Sequence, residues 1–287
     1  MKPLVPIIGG IIVLLFWADH VCGQRAKTDE TARLTETLKV ENITIHYARS
    51  HTADAKQVVD FLKRAVTQLK AHFQPAGLDE FVTGFKCDFY LHPTPTDKAS
   101  ESLATCHSGT TDGTNRTYYA DIYLLTPSAH SEKAKNHIGE PKDSKYFERL
   151  VVHEYAAPVL DRISRSKPDG WRFFQSPRWF IQGYEEYLAL TCSNEHSRKV
   201  TMTEYRKMVR SEPKRVRNDF GLVVQDEYID GAMLVAFIHE QYGKEKAQSI
   251  LTSRAESFGE AITQSLEVNL DTFFSAWRQW LEKDAAR

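Results

Sequence analysis

Val151-Val152-His153-Glu154-Tyr155-Ala156-Ala157-Pro158, followed further on by Ser176-Pro177-Arg178-Trp179-Phe180-Ile181-Gln182-Gly183-Tyr184-Glu185-Glu186-Tyr187-Leu188-Ala189-Leu190, is the part of the chain whose reading decides the rest. Each stretch is expected to be a helix, from the residues that can start and stop it. Asp143-Ser144 can cap the first, which should run to Arg165, where basic residues and then Pro168 and Gly170 stop it. The second should start with Ser176 as N-cap and Pro177 in the first turn, and carry Trp179 through Leu190. Pro158 removes a helical hydrogen bond and crowds the carbonyl of Glu154. A kink is therefore expected there, with Ala157 pushed out of helical geometry.

Outward from this pair, helical patterns fill 201–210, 226–242, 244–252, 258–266 and 270–282. Phe273, Phe274, Trp277 and Trp280 form a core stripe on the last of these. Toward the N-terminus the character changes. Residues 38–47 alternate in two registers, Leu38/Val40 then Ile43/Ile45/Tyr47, which reads as one strand with a bulge at Glu41-Asn42. Residues 53–73 repeat apolar side chains at helical spacing until Pro75 and Gly77. Strands are expected at 85–92 and 118–125, a short helical piece near 98–105, and a Gly/Thr-rich loop over 108–117. The expected fold class is α+β. An N-terminal mixed α/β lobe with a small sheet (34–142) is followed by a helical lobe (143–287), as one unit without repeats.

The chain has 287 residues and a formal net charge of -1, from 37 Lys+Arg against 38 Asp+Glu. No basic excess exists to neutralise phosphates, so nucleic acid is not an expected partner. Lys2 and the apolar run from Leu4 to Ala18, too short to span a bilayer, precede small residues around Val21-Cys22-Gly23. Residues 1–23 therefore read as a signal peptide and 24–33 as a flexible tail. The mature protein is expected to be exported, periplasmic or extracellular, with no membrane association after cleavage. Cys87, Cys106 and Cys192 then remain. A Cys87–Cys106 disulfide is the preferred pairing and three free thiols the alternative. Asn42-Ile43-Thr44 and Asn115-Arg116-Thr117 are glycosylation sequons, relevant only in a eukaryotic source.

The chemistry turns on His153 and Glu154. Two histidines four apart on one helix face can chelate zinc, with an intervening Glu as general base and a glutamate from the next helix as third ligand. The order and spacing of "VVHEYAA" and "SPRWFIQGYEEYLAL" resemble the gluzincin, or peptidase-MA-like, domains of exported bacterial proteins. Pro177, Arg178, Trp179, Gly183, Glu186 and Tyr187 match the second element. "YIDGAMLVAFIHEQYGKEKAQSIL", "FGEAITQSL" and "LDTFFSAWRQWL" are similar to the helical C-terminal part of such domains, and the resemblance spans 34–281. It implies a zincin-like fold with a cleft between the lobes. It also places His153 at the first ligand, Glu154 at the general base, Glu186 at a residue orienting a ligand, and Tyr228 near a transition-state tyrosine.

The departures from that pattern carry the functional expectation. Ala157 stands at the second ligand and Gln182 at the third. Structural zinc is worth about 10–16 kcal/mol over four ligands, so two lost ligands cost on the order of 6–8 kcal/mol. The reading is a secreted pseudopeptidase that binds a peptide or protein in its cleft, with no cofactor expected. His153 would then be either a metal-site remnant or a core histidine bonded to Glu186 or Gln182. Two alternatives stay open. One is an active zinc peptidase that recruits His92, His107, His137 or His196; the other is a metal-free hydrolase using Glu154 and Glu186.

Overall fold

The computed structural model describes residues 34–94, 104–110, 117–134, 144–167, 169, 172–192, 195–211 and 227–283. The expected signal peptide, tail, start of the 98–105 helical piece, Asn115 sequon, Asp143 cap and His137 lie outside these residues, as does the side chain of His196.

Two short strands open the described chain, β1 (Glu36–Val40) and β2 (Ile43–Tyr47). They form an antiparallel hairpin, not one bulged strand, with Val40 opposite Ile43 and Glu41 in the turn at φ 51°. The change of alternation register between Val40 and Ile43 follows from this reversal, because cross-strand partners face the same side. Asn42, in the same turn, is committed on both ends of its amide. Its Nδ2 donates to the Phe85 carbonyl at 2.8 Å and its Oδ1 accepts from the Tyr155 hydroxyl at 3.4 Å.

Helix α1 (Thr52–Phe73) follows, burying Ala55, Val58, Phe61, Leu62, Ala65, Val66, Leu69 and Phe73 along one face. A 3-10 turn over Gln74–Ala76 and Gly77 at φ 68° end it, a left-handed position that favours glycine. The remaining strands are β3 (Lys86–His92), β4 (Ala104–Thr110) and β5 (Tyr118–Leu125). The sheet order is β1-β2-β3-β5-β4; β2, β3 and β5 run parallel to their neighbours in that set, and β1 and β4 are antiparallel edges. Strand β4 occupies sequence expected as helix end and loop. Its ATCHSGT has no apolar alternation, and it is a strand because it pairs along its length with β5, a tertiary contact that overrides local preference.

That sheet order corrects the disulfide. Cys87 pairs across β3/β5 with Ala120, and Cys106 across β4/β5 with Ile122. Strand β5 lies between them. Two strand spacings of about 4.8 Å exceed the Cα separation a disulfide tolerates. Cys87, Cys106 and Cys192 are free thiols.

After β5 come α2 (Pro127–Ala134), where Thr126 Oγ1 accepts from the Ala129 amide at 3.3 Å, and then α3 (Ser144–Arg165). Helix α3 is unbroken, with Pro158 inside it and Ala157 still helical. Pro158 is buried, as are Tyr155, Val159 and Leu160 on the same helix. Helix α4 (Arg178–Thr191) has Pro177 as its N-cap. Ser176 precedes the cap, and its buried hydroxyl makes no hydrogen bond. The chain continues through α5 (Glu195–Ser211), α6 (Ile229–Tyr242), α7 (Lys244–Leu251), α8 (Phe258–Leu266) and α9 (Leu270–Lys283).

Buried side chains from the sheet, α1, α3 and the C-terminal helices form one contiguous apolar cluster, which includes the expected stripe Phe273, Phe274, Trp277 and Trp280. The architecture is mixed α/β with a small mixed sheet and a mostly helical C-terminal part. No helix among the described residues is long and apolar enough to cross a membrane.

Helices α4 and α6 are held together by missing side chains. A Cβ on Gly183 would come within 2.2 Å of the Gly231 carbonyl carbon, and one on Gly231 within 2.1 Å of the Trp179 carbonyl oxygen. These are backbone atoms, so accommodation requires the helices to part. Gly231→Ala is expected to destabilise the protein by at least about 1–3 kcal/mol. Gly259→Ala in α8, where a Cβ would meet only Leu270 Cδ1 at 3.7 Å, should be neutral or stabilising by up to ~1 kcal/mol. Urea denaturation of the two variants checks the contrast.

Candidate functional site

Helical periodicity puts Arg149, His153 and Ala157 on one stripe of α3, and Gln182, Glu185 and Glu186 on one stripe of α4. The two helices pack together, so the stripes meet, but not as a three-ligand set. Both ring nitrogens of His153 face carboxylates: Nε2 is 3.2 Å from Glu185 Oε2 and Nδ1 is 3.5 Å from Glu186 Oε2. Glu186 Oε1 in turn accepts from Arg149 Nε at 3.1 Å and from the Tyr205 hydroxyl of α5 at 3.0 Å. The Arg149 guanidinium lies over the Tyr146 and Tyr205 rings, at 5.1 and 5.9 Å from their centroids. His153, Glu185 and Glu186 are all buried.

The electrostatics follow from that geometry. Burial by itself opposes charge on His153, but the bonds to Glu185 and Glu186 outweigh it and hold its pKa well above the ordinary histidine value. Glu186 is also penalised by burial, yet His153, Arg149 and Tyr205 together pull its pKa below the usual carboxylate range. Glu185 goes the other way: burial raises it, and His153 compensates only in part. This is an ion-pair network that engages both His153 nitrogens and both Glu186 oxygens.

Glu154 stands apart from it. The carboxyl is half-buried, and its pKa is pushed up to about 7 by burial, with His153 opposing and Glu185 adding to the shift. Its charge bears on Cys106 of β4, whose thiol burial and then Glu154 raise well above the ordinary value, and on Tyr228. Tyr228, just before α6, is 47% exposed. Its ring lies 5.5 Å from that of His153, and burial followed by Glu154 raises its hydroxyl to about 12.

Of the expected residues, His153, Glu154, Glu186 and Tyr228 come together. Gln182 shares the α4 stripe but does not bond to His153; Glu185 has that role. Ala157 is buried on the helix with no polar function. Of the Glu154 and Glu186 pair expected in the metal-free alternative, Glu186 is bonded to Arg149, Tyr205 and His153. His92 and His107 lie on the sheet face opposite the apolar core, where both rings meet Tyr123, at 6.1 and 5.8 Å. They do not join His153. Sequence reasoning missed Glu185, Arg149 and Tyr205. Arg149 was legible at i−4 from His153, whereas nothing local marked Tyr205.

The residues at this place do not fit a bound zinc. Both imidazole nitrogens are engaged, the second-ligand position carries a methyl group, and the third carries a neutral amide. Among the described residues no group of three or more His, Cys, Asp or Glu side chains is arranged to hold a metal ion. Comparison with known proteins found no matching family model, no similar curated protein and no similar solved structure.

Removing Arg149 would leave Glu186 with a buried, undercompensated charge. Arg149→Met is expected to cost about 3–5 kcal/mol of stability. A double-mutant cycle with Glu186→Gln should give a coupling above about 0.5 kcal/mol, read from urea denaturation.

Proposed function

We propose that the chain is a peptidase-like domain of the gluzincin type that has exchanged its metal site for an ion-pair network, and that it binds a peptide or protein without hydrolysing it. The observation that carries this reading is the engagement of both His153 ring nitrogens by Glu185 and Glu186. An imidazole held between two carboxylates in its protonated form has no lone pair to give a metal. The substitutions at Ala157 and Gln182 agree with it independently. So does Glu186, which in a zinc site would orient a ligating histidine and here anchors a salt bridge to Arg149.

Two features favour a peptide as ligand. Strand β4 ends the sheet order among the described residues, and extended peptides are commonly recognised beside an end strand. Its Cys106 lies near Glu154, and the exposed Tyr228 ring flanks the same place beside His153. Export fits the apolar N-terminal run of the sequence.

Protein purified in metal-depleted buffer and then dialysed against zinc is expected to retain less than stoichiometric metal. It should also show no peptide hydrolysis sensitive to chelation. Stoichiometric zinc together with hydrolysis that disappears in Glu154→Gln would overturn the proposal. As a check on the alignment, Ala157→His with Gln182→Glu and Pro158→Leu should raise zinc affinity by calorimetry. No gain would mean that the vestigial ligand positions are wrongly placed.

A further inference from the structure

A second pair of histidines sits away from His153, where α1, α4, α6 and α7 meet. His72 is in the last turn of α1 and His239 in the last turn of α6, with ring centroids 5.3 Å apart. Tyr187 of α4 stacks on His239 at 4.6 Å and 21°, and the Tyr184 hydroxyl is 3.3 Å from His239 Nε2. Phe73 meets the His72 ring edge-on at 4.8 Å. His72 Nε2 is buried and makes no hydrogen bond.

The charged groups around the pair offer little to an added proton. From α7, Lys244 Nζ donates to the Ala71 carbonyl at 3.2 Å, and Gln248 Nε2 to the His72 carbonyl at 2.7 Å. On α6, the Glu240 carboxylate accepts from Trp280 Nε1 of α9 at 2.9 Å and is 3.7 Å from Arg206 of α5. From α5, Arg198 acts on Tyr187, the ring stacked on His239. Lys70 of α1 is 3.8 Å from Glu41 of the hairpin. Among the described residues neither imidazole has a carboxylate partner, and the charged side chain that acts on both rings is Lys244.

We propose that His72 and His239 form an acid-sensitive latch, which holds the end of α1 against α6 and α7 while both rings are neutral and releases it when they take up protons. A proton on either ring would place a cation facing the other ring and Lys244, offset on His239 only by the Tyr184 hydroxyl and the Tyr187 ring.

The direction of the effect follows from where protons bind. In the closed form burial first, then the other histidine and Lys244, hold His72 down to about 2; burial and then Lys244 hold His239 down to about 3. Once the seam opens, each ring returns toward its ordinary value of about 6.5. Above that value neither form binds a proton and the latch is fully closed. As pH falls from about 6.5 toward 3, the open form binds protons that the closed form does not, so opening is favoured. Each pH unit in that window favours the open form about tenfold per ring, which at about pH 5 is ~30-fold for one ring and ~10³-fold for both.

Hydrogen exchange by mass spectrometry on the full chain, at about pH 7.5 and about pH 5 and corrected for intrinsic amide rates, tests this. Protection over 69–76 and 243–250 should fall by up to about 10³-fold, while β3 and β5 keep theirs. His72→Gln and His239→Gln should each remove about 30-fold of the response. An equal loss across the whole fold, or an undiminished response in both variants, would overturn the latch. Should the variants not fold, proton NMR of the unaltered protein decides. A midpoint depressed below about 5 for both rings supports the proposal, and a midpoint near 6.5 for either ring in the folded protein defeats it.

Discussion

The approach of α4 to α6 at Gly183 and Gly231 is the constraint on which the helical half depends. Each glycine sits where a single methyl group would overlap backbone atoms of the other helix. Contact this close fixes both the separation and the register of the two helices, leaving little freedom to slide or rotate. Two consequences reach the site. The polar stripe of α4, with Glu185 and Glu186, is presented to α3 in one orientation, and the residue before α6, Tyr228, is delivered beside His153. Gly183 lies in the motif that carries the family resemblance, and its role there is steric.

With the helices fixed, the charge network is a consequence of what α3 and α4 bring to the seam. Arg149, His153, Glu185 and Glu186 would each be costly to bury alone. Together with Tyr205 they satisfy one another, and the opposite shifts of Glu185 and Glu186 show how unevenly two adjacent carboxyls are treated by the same seam. Glu186 has cations on both sides and stays charged, whereas Glu185 has His153 alone and is pushed toward its neutral form. A metal ion would have to displace these pairings and would find a methyl group and an amide where two further ligands are needed. Glu154, one residue from His153 but turned out of the network, keeps a raised pKa and partial access to solvent.

The places where local reading and fold part company share a physical cause. The Val40-to-Ile43 register change was visible, but a bulge and a two-residue reversal leave the same alternation; only pairing with β3 on the far side of β2 distinguishes them. Strand β4 has no apolar rhythm and owes its conformation to β5. Pro158 carries a local cost, yet it lies buried inside a helix that continues past it. The Cys87 and Cys106 pairing failed on strand order, since a third strand inserted between theirs separates them.

By itself the sequence determined α1 and α3 through α9 in kind if not to the residue, together with the mixed α/β class and the placing of His153 and Glu186 on consecutive helices. Those properties rest on spacing along one element and on the capping and stop residues at its ends. Only the tertiary structure decided the sheet order, the exclusion of His92 and His107 from the site, the choice of Glu185 over Gln182 as partner of His153, and the meeting of His72 with His239. Each of these depends on which faces of distant elements come together, and a side chain's rotation about a helix or strand axis says nothing of its partner until packing fixes the distance between the axes.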